Sequence, residues 1–249
     1  MNDVSDYLAQ GGKLTSPQGM PARYRAELLR LMATFVDSAL AGSAGFAARI
    51  NDAPGIKERI AAARIVLEKA DHAERVLNLM EEFGVDTGRY VGSHPWAARL
   101  DRDADIGARR VEHDMRLAVF NYPLEDWADA VVMNLLMGLA VTEQIEDFRH
   151  ISYQPLAQAF REIAPREERH AFLAREGVAK LAETESLQPH VDYWWPRVAS
   201  SFGTGASGRF ERLAALGLRR RDGAAQRAAW ETAARAALSD LGLSAPAPA

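Results

Sequence analysis

Between Gly55 and Gly84 the chain reads IKERIAAARIVLEKADHAERVLNLMEEF, without a glycine or proline to interrupt it. Read as a helix over 55–83, this segment is about 43 Å long at 1.5 Å per residue. A rod of that length constrains everything around it. Its apolar stripe, Ile60, Val66, Val76 and Leu79, has to be covered by helices of comparable length, which points to a bundle. Three further segments supply them: 21–42 with Leu28, Leu31, Met32 and Phe35, 125–149 with Leu135, Leu139 and Ile145, and 155–184. The short connection ISYQP favours antiparallel neighbours. Shorter helices are expected at 101–119, at 187–200, where Pro196 should introduce a kink, and near 223–241. Alanine and leucine dominate while β-branched residues are sparse, so the fold class is all-α. The expected organisation is a flexible arm over 1–20, a single helical domain over 21–243 and a disordered tail over 244–249.

Several functional classes are disfavoured early. With no cysteine, disulfides, thiolate metal sites and thiol catalysis are excluded. A net charge of −4 gives no general case for nucleic-acid binding. The apolar run AVVMNLLMGLAV at 130–141 is too short to span a bilayer and reads as a buried core helix, so no membrane association is expected. The start, MNDVSDYLAQGG, is acidic and lacks an apolar signal core, so a cytoplasmic location is expected. The glycines of FGTGASG neither follow a strand nor precede a phosphate-binding lysine.

The strongest chemical signal is Glu167-x-x-His170 in REERHAF. Three residues is close to one helical turn, so both side chains reach one face, as in half of a di-iron bundle site. Such a site needs a second Glu-x-x-His, and the long helix offers Lys69-x-x-His72 instead. A protonated lysine cannot ligate a cation and places positive charge beside it. It either pairs with Glu167 or carries its ammonium to solvent. Glu68 and Asp71 flank Lys69 but are expected to be poorly aimed at a shared centre. Glu143, Glu146, Glu27 and Asp37 are further carboxylate candidates.

In order and spacing, VFNYPLEDWAD (119–129), HISYQPLAQAF (150–160), REERHAF (166–172) and YWWPRVASSFG (193–203) resemble the phenylacetic acid catabolic family of the ferritin-like superfamily, in the branch of the ring-1,2-phenylacetyl-CoA epoxidase catalytic subunit. The resemblance implies a ferritin-like four-helix bundle with added peripheral helices. It also implies a homo- or hetero-oligomer built with another ferritin-like chain, together with a reductase partner and a CoA thioester ligand. Active members of that family are di-iron oxygenases. Carried over by position, their carboxylates fall here on Ala39, Lys69 and Gly138, while His72, Glu167 and His170 keep the expected residue types. The leading expectation is therefore a non-catalytic or scaffolding homologue without a metal cofactor. Its degenerate site would hold Lys69, His72, Glu167 and His170 as a polar cluster.

Two alternatives stay open. One is an oxygenase with an atypical iron site built from His72, Glu167 and His170, joined by Glu68, Glu143 or Glu146. The other is a metal-independent small-molecule binding protein. Tyr193, Trp194 and Trp195 are candidates for an acyl-CoA region, an oligomer interface or an aromatic anchor. Arg219, Arg220 and Arg221 are candidates for a CoA phosphate or acidic partner, or else a solvated helix end. Asp129, near a helix start, is expected to serve local hydrogen bonding or capping.

Overall fold

The computed structural model describes residues 3–105, 113–203 and 208–247. Its helices are α1 (Asp3–Ala9), α2 (Ala22–Ala47), α3 (Ile56–Glu81), α4 (Thr87–Ser93), α5 (Trp127–Phe148), α6 (Gln154–Leu181), α7 (Gln188–Ala199), α8 (Gly208–Ala215) and α9 (Gly223–Asp240). The fold is all-α. Among the described residues the only β-type pairing is an isolated parallel bridge between Leu14 and Tyr153.

Four long helices form the bundle. α2 packs against α3, α5 against α6, and α3 against α6. The α3–α6 pair runs antiparallel, as the links Glu58–Lys180, Glu68–His170 and Arg75–Glu162 show. Asp126 caps α5 by accepting the backbone N–H of Asp129 at 2.7 Å, satisfying one of the helix's free donors. The α5–α6 contact is unusually close. A Cβ on Gly138 would lie 3.1 Å from the Cβ of Ala171, and one on Gly177 would lie 2.8 Å from Val131 Cγ1. Glycine at these two positions lets the backbones approach.

Among the described residues three apolar clusters form the core, two of them large. One joins Tyr24, Leu28, Met32 and Val36 of α2 to Val76 and Met80 of α3 and Phe160 of α6. The other surrounds α5 and brings Trp194, Trp195 and Trp230 together from α7 and α9. Burying each large apolar side chain stabilises the fold by about 1.5–3 kcal/mol before conformational entropy is charged. Among the described helices only α5 is long and apolar enough to cross a membrane, but 67% of its apolar window is buried inside the fold. It is a core helix, as its sequence indicates.

The helix expected over 101–119 is not present in its described parts. Residues 101–105 form a turn, His113 is a turn residue with φ 68°, 114–117 have no regular structure and 118–121 make a short 3-10 turn, while 106–112 lie outside the described residues. Tertiary bonds override helix propensity here. The backbone N–H groups of Met115 and Leu117 donate to Asp37 Oδ2 at 2.7 Å and Ser38 Oγ at 3.0 Å on α2. Arg116 is held by Asp114 and by the carbonyls of Pro95, Trp96 and Ala98. α2 also runs on through GSAG, five residues past its expected end, and α7 continues through Pro196. Within the segment expected as an arm, α1 forms with Leu8 buried, and Lys13 donates to the carbonyls of His150 and Ile151. In the expected tail, Ser244 exchanges hydrogen bonds with Gln188, and Pro246 O accepts from Arg235.

Candidate functional site

At the centre of the bundle α3 and α6 bring Lys69, His72, Glu167 and His170 into one cluster. Lys69 Nζ donates to Glu167 Oε2 at 3.0 Å, and its side chain is 15% exposed. The fully buried His72 contacts Glu167 Oε1 through Nδ1 at 2.9 Å. His170 turns its Nε2 to Glu68 Oε2 at 2.6 Å and its Nδ1 toward Glu167 Oε2 at 3.5 Å. The two imidazoles lie nearly parallel with centroids 5.9 Å apart.

The electrostatics follow from burial and that one ammonium. Burial opposes ionisation of Glu167, but the charge of Lys69 and the bonds from His170 and His72 hold it well below the usual carboxylate range. Burial lowers the pKa of His72 below its ordinary 6.5, against the opposing pull of Glu167. A neutral His72 then donates Nδ1–H to the carboxylate and leaves Nε2 as a buried atom without a hydrogen-bond partner, while His170 Nδ1 has only its long 3.5 Å approach to Glu167 Oε2.

The expected carboxylates divide. Contrary to expectation, Glu68 reaches the centre: it stands one turn before His72, at i and i+4, and so shares its face. Angular distance from Lys69 is the wrong guide. Glu143 instead pairs with Arg221 at 2.9 Å, and the half-exposed Glu146 with Arg149 and His150. Asp71 pairs with Arg75 and Arg166, Asp37 accepts from Tyr90 and Trp96, and Glu27 lies 3.6 Å from Arg209.

Ala39 lines a cavity of about 400 Å³ bounded also by Lys69 and Glu167. Gly138, Lys69 and His170 border a hollow of about 30 Å³ on the other side of the lysine, room for about one water. Among the described residues no group of three or more metal-ligating side chains is arranged to hold an ion. The donor set does not fit an iron pair: Ala39 and Gly138 offer no donor, and an ammonium sits on the carboxylate that both imidazoles face.

The aromatic and basic candidates fill other places. Tyr193 lies between the guanidinium groups of Arg102 and Arg197, each 3.6 Å from its ring centroid. Trp194 is buried, and Trp195 packs on Trp230 with centroids 4.6 Å apart. Arg219 lies over the Phe148 ring and lines the large cavity with Arg221. The backbone N–H of Arg220 donates to Asp147.

One buried centre is not legible in the sequence as such. Asp129 accepts from Arg102 at 2.8 and 2.9 Å, Trp194 Nε1 at 2.7 Å, His190 Nδ1 at 3.1 Å and the Glu125 N–H at 3.0 Å. Only the last is the local bond its position suggests. Its other partners come from a loop and from α7, and no sequence signal links them.

A family model described as phenylacetic acid catabolic protein matches residues 5–249. The chain is also similar to one of the polypeptides of the 1,2-phenylacetyl-CoA epoxidase of Escherichia coli (strain K12), 26% identical over 197 residues. That alignment covers 76% of this chain and 58% of the relative, so the chain spans less than two thirds of the relative's length.

Proposed function

Because the chain belongs to the phenylacetic acid catabolic protein family, we propose that it is a non-catalytic, scaffolding component of an aromatic-acid or acyl-CoA oxidation system. The observation that carries this reading is the Lys69–Glu167 pair: the lysine supplies at 3.0 Å the positive charge that a metal would otherwise supply. A buried carboxylate needs such compensation, and a covalently attached ammonium provides it permanently. The protein would assemble with a catalytic ferritin-like partner, which in turn takes electrons from a reductase and acts on a CoA thioester.

Metal stoichiometry of full-length protein after anaerobic incubation with ferrous iron and desalting tests this directly. Substoichiometric iron is expected; two irons per chain would refute the reading. Co-expression with an intact catalytic homologue should yield a complex on size exclusion, and persistent separation of the two would count against scaffolding.

The second reading, an oxygenase with an atypical iron site, is favoured by one observation: His72 Nε2 is buried without a hydrogen-bond partner, and His170 Nδ1 has only a long contact to Glu167 Oε2 at 3.5 Å. It requires one iron per chain that disappears in His170→Ala.

A further inference from the structure

The cavity beside Ala39 has a second wall that the metal question does not touch. It is formed by α9 and the residues just before it, and polar atoms there lack partners. Gln226 is 3% exposed; its Oε1 faces Arg219 Nη1 at 3.5 Å, while its Nε2 is buried without a partner. Ser201 Oγ, on the same cavity, is also buried and unpartnered. Arg219 is only loosely engaged: its nearest carboxylate, Asp147, is 3.8 Å away and shared with the backbone N–H groups of Arg220 and Arg221. Its guanidinium is instead stacked 4.6 Å over Phe148. Burial lowers its pKa against the opposing pull of Asp147, while its side chain keeps 26% exposure. The rest of the chamber includes Leu31, Phe35, Ile145 and Phe202.

Buried donors without acceptors are uncommon and costly, and a fork-shaped cation beside a primary amide matches the two oxygens of a carboxylate. We infer that this cavity binds a free monocarboxylate with a hydrocarbon body, its carboxylate received by Arg219, Gln226 Nε2 and Ser201 Oγ and its apolar part lying between α2 and α5. Each donor then gains an acceptor, and the ligand's anion supplies the charge that Asp147 only partly supplies. About 400 Å³ lies within the size range of small-molecule sites and suits an acid of medium length or a single aromatic ring. The inference is independent of whether the chain is a scaffold or an enzyme.

Isothermal titration of the full-length protein with octanoate and with 4-phenylbutyrate, against octanamide and 4-phenylbutyramide, tests it. The acids should bind and raise the melting temperature, and the amides should bind about tenfold more weakly or worse, as expected for loss of a charge-assisted bond. Arg219→Gln should weaken acid binding roughly ten- to hundredfold for the same reason. Because that change also removes a contact to Asp147, Gln226→Leu serves as the second variant. It deletes an unpartnered donor and only the long 3.5 Å contact of Oε1 with Arg219 at similar volume, so it should fold about as stably yet bind the acids about tenfold less well. Equal binding of acid and amide, wild-type affinity in both variants, or binding of octanoyl-CoA but not octanoate would each overturn the inference. Iron content is measured separately, so its outcome and this one fail independently.

Discussion

Asp129 and Glu167 are both buried carboxylates held below their ordinary pKa, yet their surroundings differ in one respect. Around Asp129, a guanidinium, an indole, an imidazole and a backbone amide converge on two oxygens. Around Glu167, one ammonium and one imidazole make close bonds, and a ring nitrogen on each of His72 and His170 is left over. A centre that serves only architecture has its polar partners matched. Around Glu167 the matching is incomplete. Among the buried polar centres of the described residues, Asp129 acts as a lock and the Glu167 cluster is the altered site, and perturbing each should have different consequences.

The largest effect is expected at the lock. Asp129→Ala leaves Arg102, Trp194 Nε1 and His190 without their shared acceptor and should destabilise the fold by about 3–5 kcal/mol, read from urea midpoints. The partly exposed Arg102 recovers some hydration, which places the result toward the lower end. A loss below about 1 kcal/mol, the worth of an ordinary exposed pair, would erase the contrast between the two centres.

At the altered site the loss should be smaller and reversible by a second change. Lys69→Met strands the Glu167 charge and should cost about 2–3 kcal/mol, less than a fully buried pair because the lysine is 15% exposed. Adding Glu167→Gln removes the stranded charge and should restore most of the loss. A double-mutant cycle with coupling near zero would mean that the pair at 3.0 Å contributes nothing beyond its separate parts.

How far these centres can be read from the sequence depends on what holds each together. The long helices are legible because breakers, capping residues and apolar periodicity are local; α3 and α6 lie within three residues of their expected ends. The family motifs locate Lys69, His72, Glu167 and His170, because helical spacing fixes which side chains share a face. Glu68 is misplaced when Lys69 serves as the angular reference, and correctly placed when His72 does. The segment 101–119 defeats a local reading because its polar groups bond across the fold, to Asp37, Ser38 and Asp129, and such partners have no sequence offset. The cavity wall of Ser201, Arg219 and Gln226 is hidden for the same reason; only the arginine stands out, as part of a charge run.

Substitution at Gly138 tests how tightly α5 and α6 pack beside the cluster of Lys69, His72, Glu167 and His170. Gly138→Ala places a Cβ 3.1 Å from Ala171 Cβ and 3.2 Å from its Cα. Because backbone is involved, α5 and α6 must separate, at about 1–3 kcal/mol. A neutral outcome would indicate that α5 and α6 have room to adjust at Gly138.

The smallest effect separates His72 from the two carboxylates by pH. His72 has a folded pKa below 6.5, so the unfolded chain takes up that proton first as the solution is acidified. Its contribution to stability is fully present above about pH 6.5 and declines as pH falls toward the folded value, with a slope of at most about 1.4 kcal/mol per pH unit for one proton. Glu167 is depressed well below 4.5 and Asp129 below 3.8, so their contributions persist to lower pH and are lost as each folded pKa is crossed. Stability against pH should therefore fall in two stages, the first starting near neutrality. His72→Gln should abolish the first stage, while Asp129→Asn, in a background that still folds, should leave it in place. A single acid transition below pH 4.5 in the wild-type protein would mean that His72 titrates normally and that its burial against Glu167 is compensated by more than the contact at 2.9 Å.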